Sequence, residues 1–155
     1  MPRCITAFFL TPLLLLACSD PDSPTVTNLS TDAPEYTLTT TSSGYLGSVT
    51  LSFTNANSFP VTIPGCGGLW PASLERRRPT DGVWVYAAWL GPYTKCLEET
   101  VVPTGATRRK VVALTFPESS FAGEYRVVLE VWTTPDGWPP EQFTSNTFTL
   151  MASAP

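Results

Sequence analysis

The chain is 155 residues long and carries nine Lys and Arg against thirteen Asp and Glu, a net charge of −4. That mildly acidic balance lacks the basic footprint of a nucleic-acid binder, so nucleic acid is not an expected partner. There is no histidine, which excludes Ser-His-Asp and Cys-His nucleophile systems, the commonest general base, and histidine zinc ligands.

At the amino terminus, Arg3 is the only charge before Asp20, and an apolar run extends from Ile5 to Ala17, interrupted by Thr6, Thr11 and Pro12. A membrane-spanning helix needs roughly 20 apolar residues. This run is shorter and contains a proline, so residues 1–17 read as a cleaved signal peptide. It ends in Leu15-Leu16-Ala17-Cys18, which resembles the lipobox of bacterial lipoproteins. The resemblance implies that the Cys18 thiol receives a diacylglyceryl group, that the peptide before it is removed and that the new amino terminus is acylated. Membrane lipid is then a partner through Cys18, and the protein belongs to the bacterial cell envelope. Two or three acyl chains anchor stably where one holds only marginally, at roughly 0.8 kcal/mol per buried methylene. Ser19 stands where many enteric-type bacteria use aspartate to retain lipoproteins in the inner membrane, which favours the outer membrane in a host that has one.

Without residues 1–17 the chain keeps eight basic and thirteen acidic residues, a net charge of −5. Its four cysteines reduce to Cys66 and Cys96 once Cys4 leaves with the signal peptide and Cys18 is acylated. An even pair in an exported chain reads as a disulfide. Closing a loop of about 30 residues contributes roughly 3–4 kcal/mol on the chain-entropy model. Residues 18–34 are rich in Pro, Ser, Thr and Asp, too poor in apolar residues for a core. They read as a tether of roughly 20–25 Å if flexible.

From residue 35 the period becomes two. Val49, Leu51 and Phe53 alternate with serine and threonine, and Tyr125, Val127, Leu129 and Val131 form one face of a second run. Further strands are expected at Tyr36–Thr39, Phe59–Ile63, Gly82–Tyr86, Arg109–Phe116 and Asn146–Leu150, with another entered through Pro71. Turn signals separate them, including Asn55-Ala-Asn57, Gly65-Cys-Gly-Gly68 and Pro135-Asp-Gly137. About seven or eight such strands describe an all-β antiparallel sandwich occupying residues 35–151 as one domain.

Phe121-Ala-Gly123-Glu-Tyr125-Arg-Val127 resembles the approach to a late strand of immunoglobulin-like domains, in which the tyrosine hydroxyl bonds to upstream backbone. That implies an immunoglobulin-like β-sandwich. The stretch VTLSFTNANSFPVTI, Asp81-Gly82-Val83-Trp84 and Pro103-Thr104-Gly105 resemble bacterial domains of the BsuPI proteinase-inhibitor type. The resemblance carries proteinase inhibition as the alternative function. The Cys66–Cys96 pair departs from that pattern, and none of its inhibitory residues is matched.

Trp89, Tyr93 and Trp138 sit among Gly and Pro in segments that read as loops. Aromatic loop tips bind an envelope protein or a glycan, although in small domains such rings more often fold back over the ends of the sandwich. Arg76–Arg78 and Arg108–Lys110 hold six of the eight positive charges left after residue 17. Strand alternation favours solvated edges over one anionic-ligand patch. Glu98-Glu99 is an acidic pair with no third ligand, so no metal, cofactor or catalytic residue is assigned. The function expected is a non-catalytic binding or structural module on a lipid anchor, not an enzyme.

Overall fold

A computed structural model describes residues 28–92, 98–134 and 139–153. Among the described residues are eleven strands and one three-residue 3-10 turn, Ser119–Phe121. The all-β sandwich expected from the alternation is the fold observed, with more strands than the seven or eight anticipated.

The first sheet is organised by β3 (Gly44–Thr54). Its Val49, Leu51 and Phe53 are buried while the intervening polar residues point outward, as a period of two requires. One edge of β3 pairs antiparallel along its whole length with β8 (Thr107–Phe116). The other edge takes β1 (Leu29–Thr31) opposite Leu51–Phe53 and the end of β2 (Glu35–Thr41) opposite Gly44–Leu46.

The second sheet is built around β9 (Gly123–Val131). On one side lies β5 (Ala72–Arg77), followed by β6 (Trp84–Trp89). On the other lie β10 (Glu141–Thr144) and β11 (Phe148–Ala152). β2 changes sheets along its length: Glu35–Leu38 run parallel to Thr149–Ala152, then Thr39–Thr41 pair with β3. The parallel pair departs from the wholly antiparallel expectation. A two-stranded sheet of β4 (Val61–Gly65) and β7 (Glu98–Val102) joins the end of β9 through Thr62 and Trp132.

Between the sheets, Val49, Leu51, Phe53 and Leu114 meet Leu74, Tyr125, Val127, Leu129 and Phe148 in one buried cluster. Each large side chain so buried contributes roughly 1.5–3 kcal/mol. Tyr125 is 1% exposed and its hydroxyl donates to the Phe121 carbonyl, as the Gly123-x-Tyr125 motif implied. Burial pushes the Tyr125 hydroxyl pKa up, and the nearby Arg76 guanidinium opposes that shift. Gly123 takes φ +150°, and its missing side chain leaves space that the Arg76 guanidinium occupies.

The boundary expected for the tether needs correction. Leu29 is fully buried and β1 hydrogen-bonds to β3, so the sandwich starts before residue 35. At the other end β11 runs to Ala152, just past 151.

Candidate functional site

Several residues expected to carry function lie outside the described residues: Cys18, Tyr93, Cys96 and Trp138. Trp89 is described and corrects the loop assignment. It ends β6, pairs with Ser73, and its indole N–H donates to the Pro92 carbonyl at 3.0 Å. The ring therefore lies against the residues that follow the strand, beside Gly91 and Pro92, and is only partly exposed.

Cys66 follows β4 and opens a tight turn in which its N–H and carbonyl bond to Leu69 at 3.2 and 2.9 Å. Gly67 and Gly68 fill the turn at φ +56° and +71°, the left-handed pair that such a two-residue turn demands. The Gly68 N–H donates to a Glu98 carboxylate oxygen at 3.1 Å.

The two basic triplets do not form one patch, because Arg76–Arg77 belong to β5 and Arg108–Lys110 to β8 in the other sheet. Arg77 pairs with Glu124 and Arg78 with Asp81, while Arg76 donates to the Ala122 carbonyl. Among the described residues no group of three or more Cys, Asp or Glu is placed to hold a metal ion. No described helix is long and apolar enough to cross a membrane.

What the fold does assemble is a cleft of about 640 Å³ at one end of the sandwich, lined by Phe59, Pro60, Thr62, Glu99, Trp132, Thr133 and Thr134. Three separate stretches of chain meet there. The β3–β4 turn brings Phe59, and the pairing of Pro64 with Glu99 brings β7 alongside. Backbone bonds in both directions between Thr62 and Trp132, at 2.9 and 2.7 Å, fix the end of β9.

The turn that carries Phe59 is held by Asn55, which is 0% exposed. Its side-chain amide donates to the carbonyls of Phe59 and Val102, each at 2.9 Å, and its side-chain oxygen accepts from the Asn57 N–H at 2.9 Å. Its own backbone bonds to Ala106 and Gly105. A buried amide so fully satisfied fixes a loop in one conformation.

Phe59 is 45% exposed. Neither its ring nor that of Trp132 stacks on another aromatic ring among the described residues, unlike the rings of the core. Glu99 enters no ion pair among the described residues. The cleft thus brings together two rings outside the stacked core, threonine hydroxyls and a carboxylate with no ion-pair partner among the described residues.

Sequence reading placed Phe59 inside a strand and Trp132 at the end of one, so neither stood out as a site residue. Pro60 was the available signal: it has no N–H to donate to a ladder, and β4 begins only at Val61, leaving Phe59 on the turn.

No protein-family model matches the sequence, and no curated protein matches it. Among solved structures, the chain is similar to the ASH/PapD-like domain of human CEP192 (PapD-like domain 7). Identity there is 13%, covering 99% of this chain and 98% of that one, with a TM-score of 0.38. It is also similar to a chain from a structure described as "Structural basis of T cell specificity and activation by the bacterial superantigen toxic shock syndrome toxin-1". In that case identity is 13% over 81% of this chain and 98% of that one, with a TM-score of 0.44. Likeness at this level concerns the fold and has no bearing on activity.

Proposed function

We propose that the protein is a lipid-anchored cell-envelope lipoprotein whose sandwich serves as a non-catalytic binding module. The anchor rests on Leu15-Leu16-Ala17-Cys18 after a short apolar run. The single observation that carries the binding role is the end cleft. Its wall is pinned by the buried Asn55, and it offers aromatic faces, hydroxyls and a carboxylate on a rigid scaffold. These groups recognise ligands, and residues that bind are favoured on loops held this way.

A Cys66–Cys96 disulfide belongs to the same reading. Gly65, the neighbour of Cys66, pairs with Glu98, two positions from Cys96 in sequence. A bridge there would brace the two-stranded sheet that forms one side of the cleft.

The anchor is tested by expressing the full chain in a bacterial host and measuring its detergent partition and its amino-terminal mass. The expected product starts at Cys18 with acyl chains attached, and Cys18→Ser yields an unprocessed or detergent-insensitive protein. A mature chain with an unmodified Cys18 would refute the anchoring.

A further inference from the structure

We propose that the end cleft is a site for an organic ammonium group. The proposal rests on the reading of the domain as a binding module and names the class of ligand for that same cleft.

Among the described residues, Glu99 is the only ionisable one lining the cleft. Three carboxylates elsewhere are answered by cations, Glu124 by Arg77, Asp81 by Arg78 and Glu75 by Arg126; what sets Glu99 apart from the other carboxylates outside these pairs is its place on the wall of a cleft beside two aromatic residues. Its neighbour Glu98 accepts the Gly68 N–H. Glu99 has no such partner among the described residues, and no described Lys or Arg lines the cleft to provide one. Among the described residues, the opening therefore carries a negative charge with no cation set against it.

The ring faces select the kind of cation. A ring presents its negative quadrupole to a charge held within about 6 Å of its centre, and Trp is the strongest such acceptor. This molecule already uses that interaction, with the Arg126 guanidinium 4.5 Å from the centre of the Trp84 ring. Phe59 and Trp132 line the same cleft as Glu99, and among the described residues no side-chain cation lies over either ring. A ligand ammonium there would be attracted both by the carboxylate and by the rings.

Other ligand classes fit less well. Calcium and magnesium are hard cations that require several oxygen ligands in a fixed arrangement, and here one carboxylate stands beside aromatic walls. An anion meets the Glu99 charge with nothing to offset it. A neutral sugar could stack on a ring but would gain nothing from that charge. The hydroxyls of Thr62, Thr133 and Thr134 can accept the N–H bonds of a primary ammonium. A cleft of about 640 Å³ is roomier than a bare ammonium needs, so the cation is one end of a larger molecule. Lipid headgroup amines and lysine side chains share this chemistry.

The test is an NMR titration of the detergent-solubilised full-length protein, following the ring resonances of Phe59 and Trp132. Tetramethylammonium and ethanolamine are the headgroup probes, Nα-acetyl-lysine amide is the peptide probe, and sodium chloride at matched ionic strength is the control. N-acetylglucosamine is the neutral comparison. We expect saturable shifts at both rings with the ammonium probes and none with sodium. Glu99→Gln and Phe59→Ala should each weaken binding by about tenfold or more, with an unchanged melting temperature showing that each variant is folded. The probe that binds most tightly identifies the source, headgroup or lysine. Saturable shifts with N-acetylglucosamine but not with the ammonium probes would overturn the ligand class while leaving the cleft a binding site. Silence with every probe would overturn both. Wild-type affinity in a folded Glu99→Gln variant would overturn the role of the carboxylate.

Discussion

Replacing Asn55 by alanine should be among the costliest polar substitutions in the domain. Its side chain is fully buried and makes three hydrogen bonds, two donated to the Phe59 and Val102 carbonyls and one accepted from the Asn57 N–H. Alanine leaves all three partners without it. The Phe59 carbonyl and Asn57 N–H lie near the surface and can recover water, whereas the Val102 carbonyl belongs to a residue that is 0% exposed. At roughly 0.5–1.5 kcal/mol per net bond, with a larger cost for the group left buried, the loss should be about 2–4 kcal/mol. Against a typical domain stability of roughly 5–15 kcal/mol, urea unfolding would register this as a clearly lowered midpoint with an unchanged slope. Asn55→Asp sharpens the test. It keeps an acceptor for Asn57 but turns a carboxylate toward two carbonyl oxygens, so its folded pKa should rise above the unfolded value of about 3.9. A raised acid pKa means that folding favours the protonated form, so the deficit of this variant should widen as pH rises from about 4.5 to 7.5. A loss below about 0.5 kcal/mol for alanine, or an aspartate deficit that shrinks as pH rises, would refute the role given to this amide.

Tyr125→Phe should lose about 1–2 kcal/mol with the bond to the Phe121 carbonyl, and Tyr125→Ala about 3–5 kcal/mol through the cavity left in the core. Denaturant melts check both, and a neutral alanine variant would contradict the packing around that ring. If Cys66 and Cys96 are joined as proposed, reduction should lower stability by roughly 3 kcal/mol on the loop-entropy model; alkylation of both cysteines in the native protein would count against the bridge. Asp32 is held below its usual pKa chiefly by the Tyr36 hydroxyl, which donates to it, with Thr50 adding a second bond. A lowered acid pKa contributes stability above the unfolded value, near 3.8, that fades as pH falls through the folded one. Tyr36→Phe should therefore flatten the acid-side decline in a urea titration between about pH 5 and pH 3, and an unchanged slope would show that the contact does not matter.

The central strands were legible because their burial follows from their own residues. Val49, Leu51 and Phe53, and Tyr125, Val127 and Leu129, alternate cleanly, and the structure buries those faces. Three short strands were not. β1 has one apolar anchor, Leu29, in a polar stretch, and β7 and β10 read as Glu-Glu-Thr-Val-Val and Glu-Gln-Phe-Thr. Their conformation is imposed by the strands they pair with, which no local pattern encodes. The parallel pairing of β2 with β11 is likewise a relation between distant segments. The cleft was hidden for the same reason. Phe59, Glu99 and Trp132 come from separate stretches and meet only through the Pro64–Glu99 and Thr62–Trp132 pairings.

The direction of the strands decides which end of the chain lies near the cleft. The Asn28 carbonyl accepts the Thr54 N–H, immediately before Asn55 and the turn that carries Phe59. At the opposite pole, the Ser153 N–H bonds to the Leu38 carbonyl as β11 runs out beside β2. The polypeptide enters the sandwich at the cleft and leaves far from it. With the proposed anchor at Cys18, the ten residues from 18 to 27 would span only roughly 16–19 Å if flexible, which would keep the cleft end of the domain close to the bilayer. The ligands of the cleft would then be drawn from the thin layer of solvent and headgroups between protein and membrane. A fusion placed after residue 153 would leave the cleft clear, whereas one placed before residue 28 would crowd it.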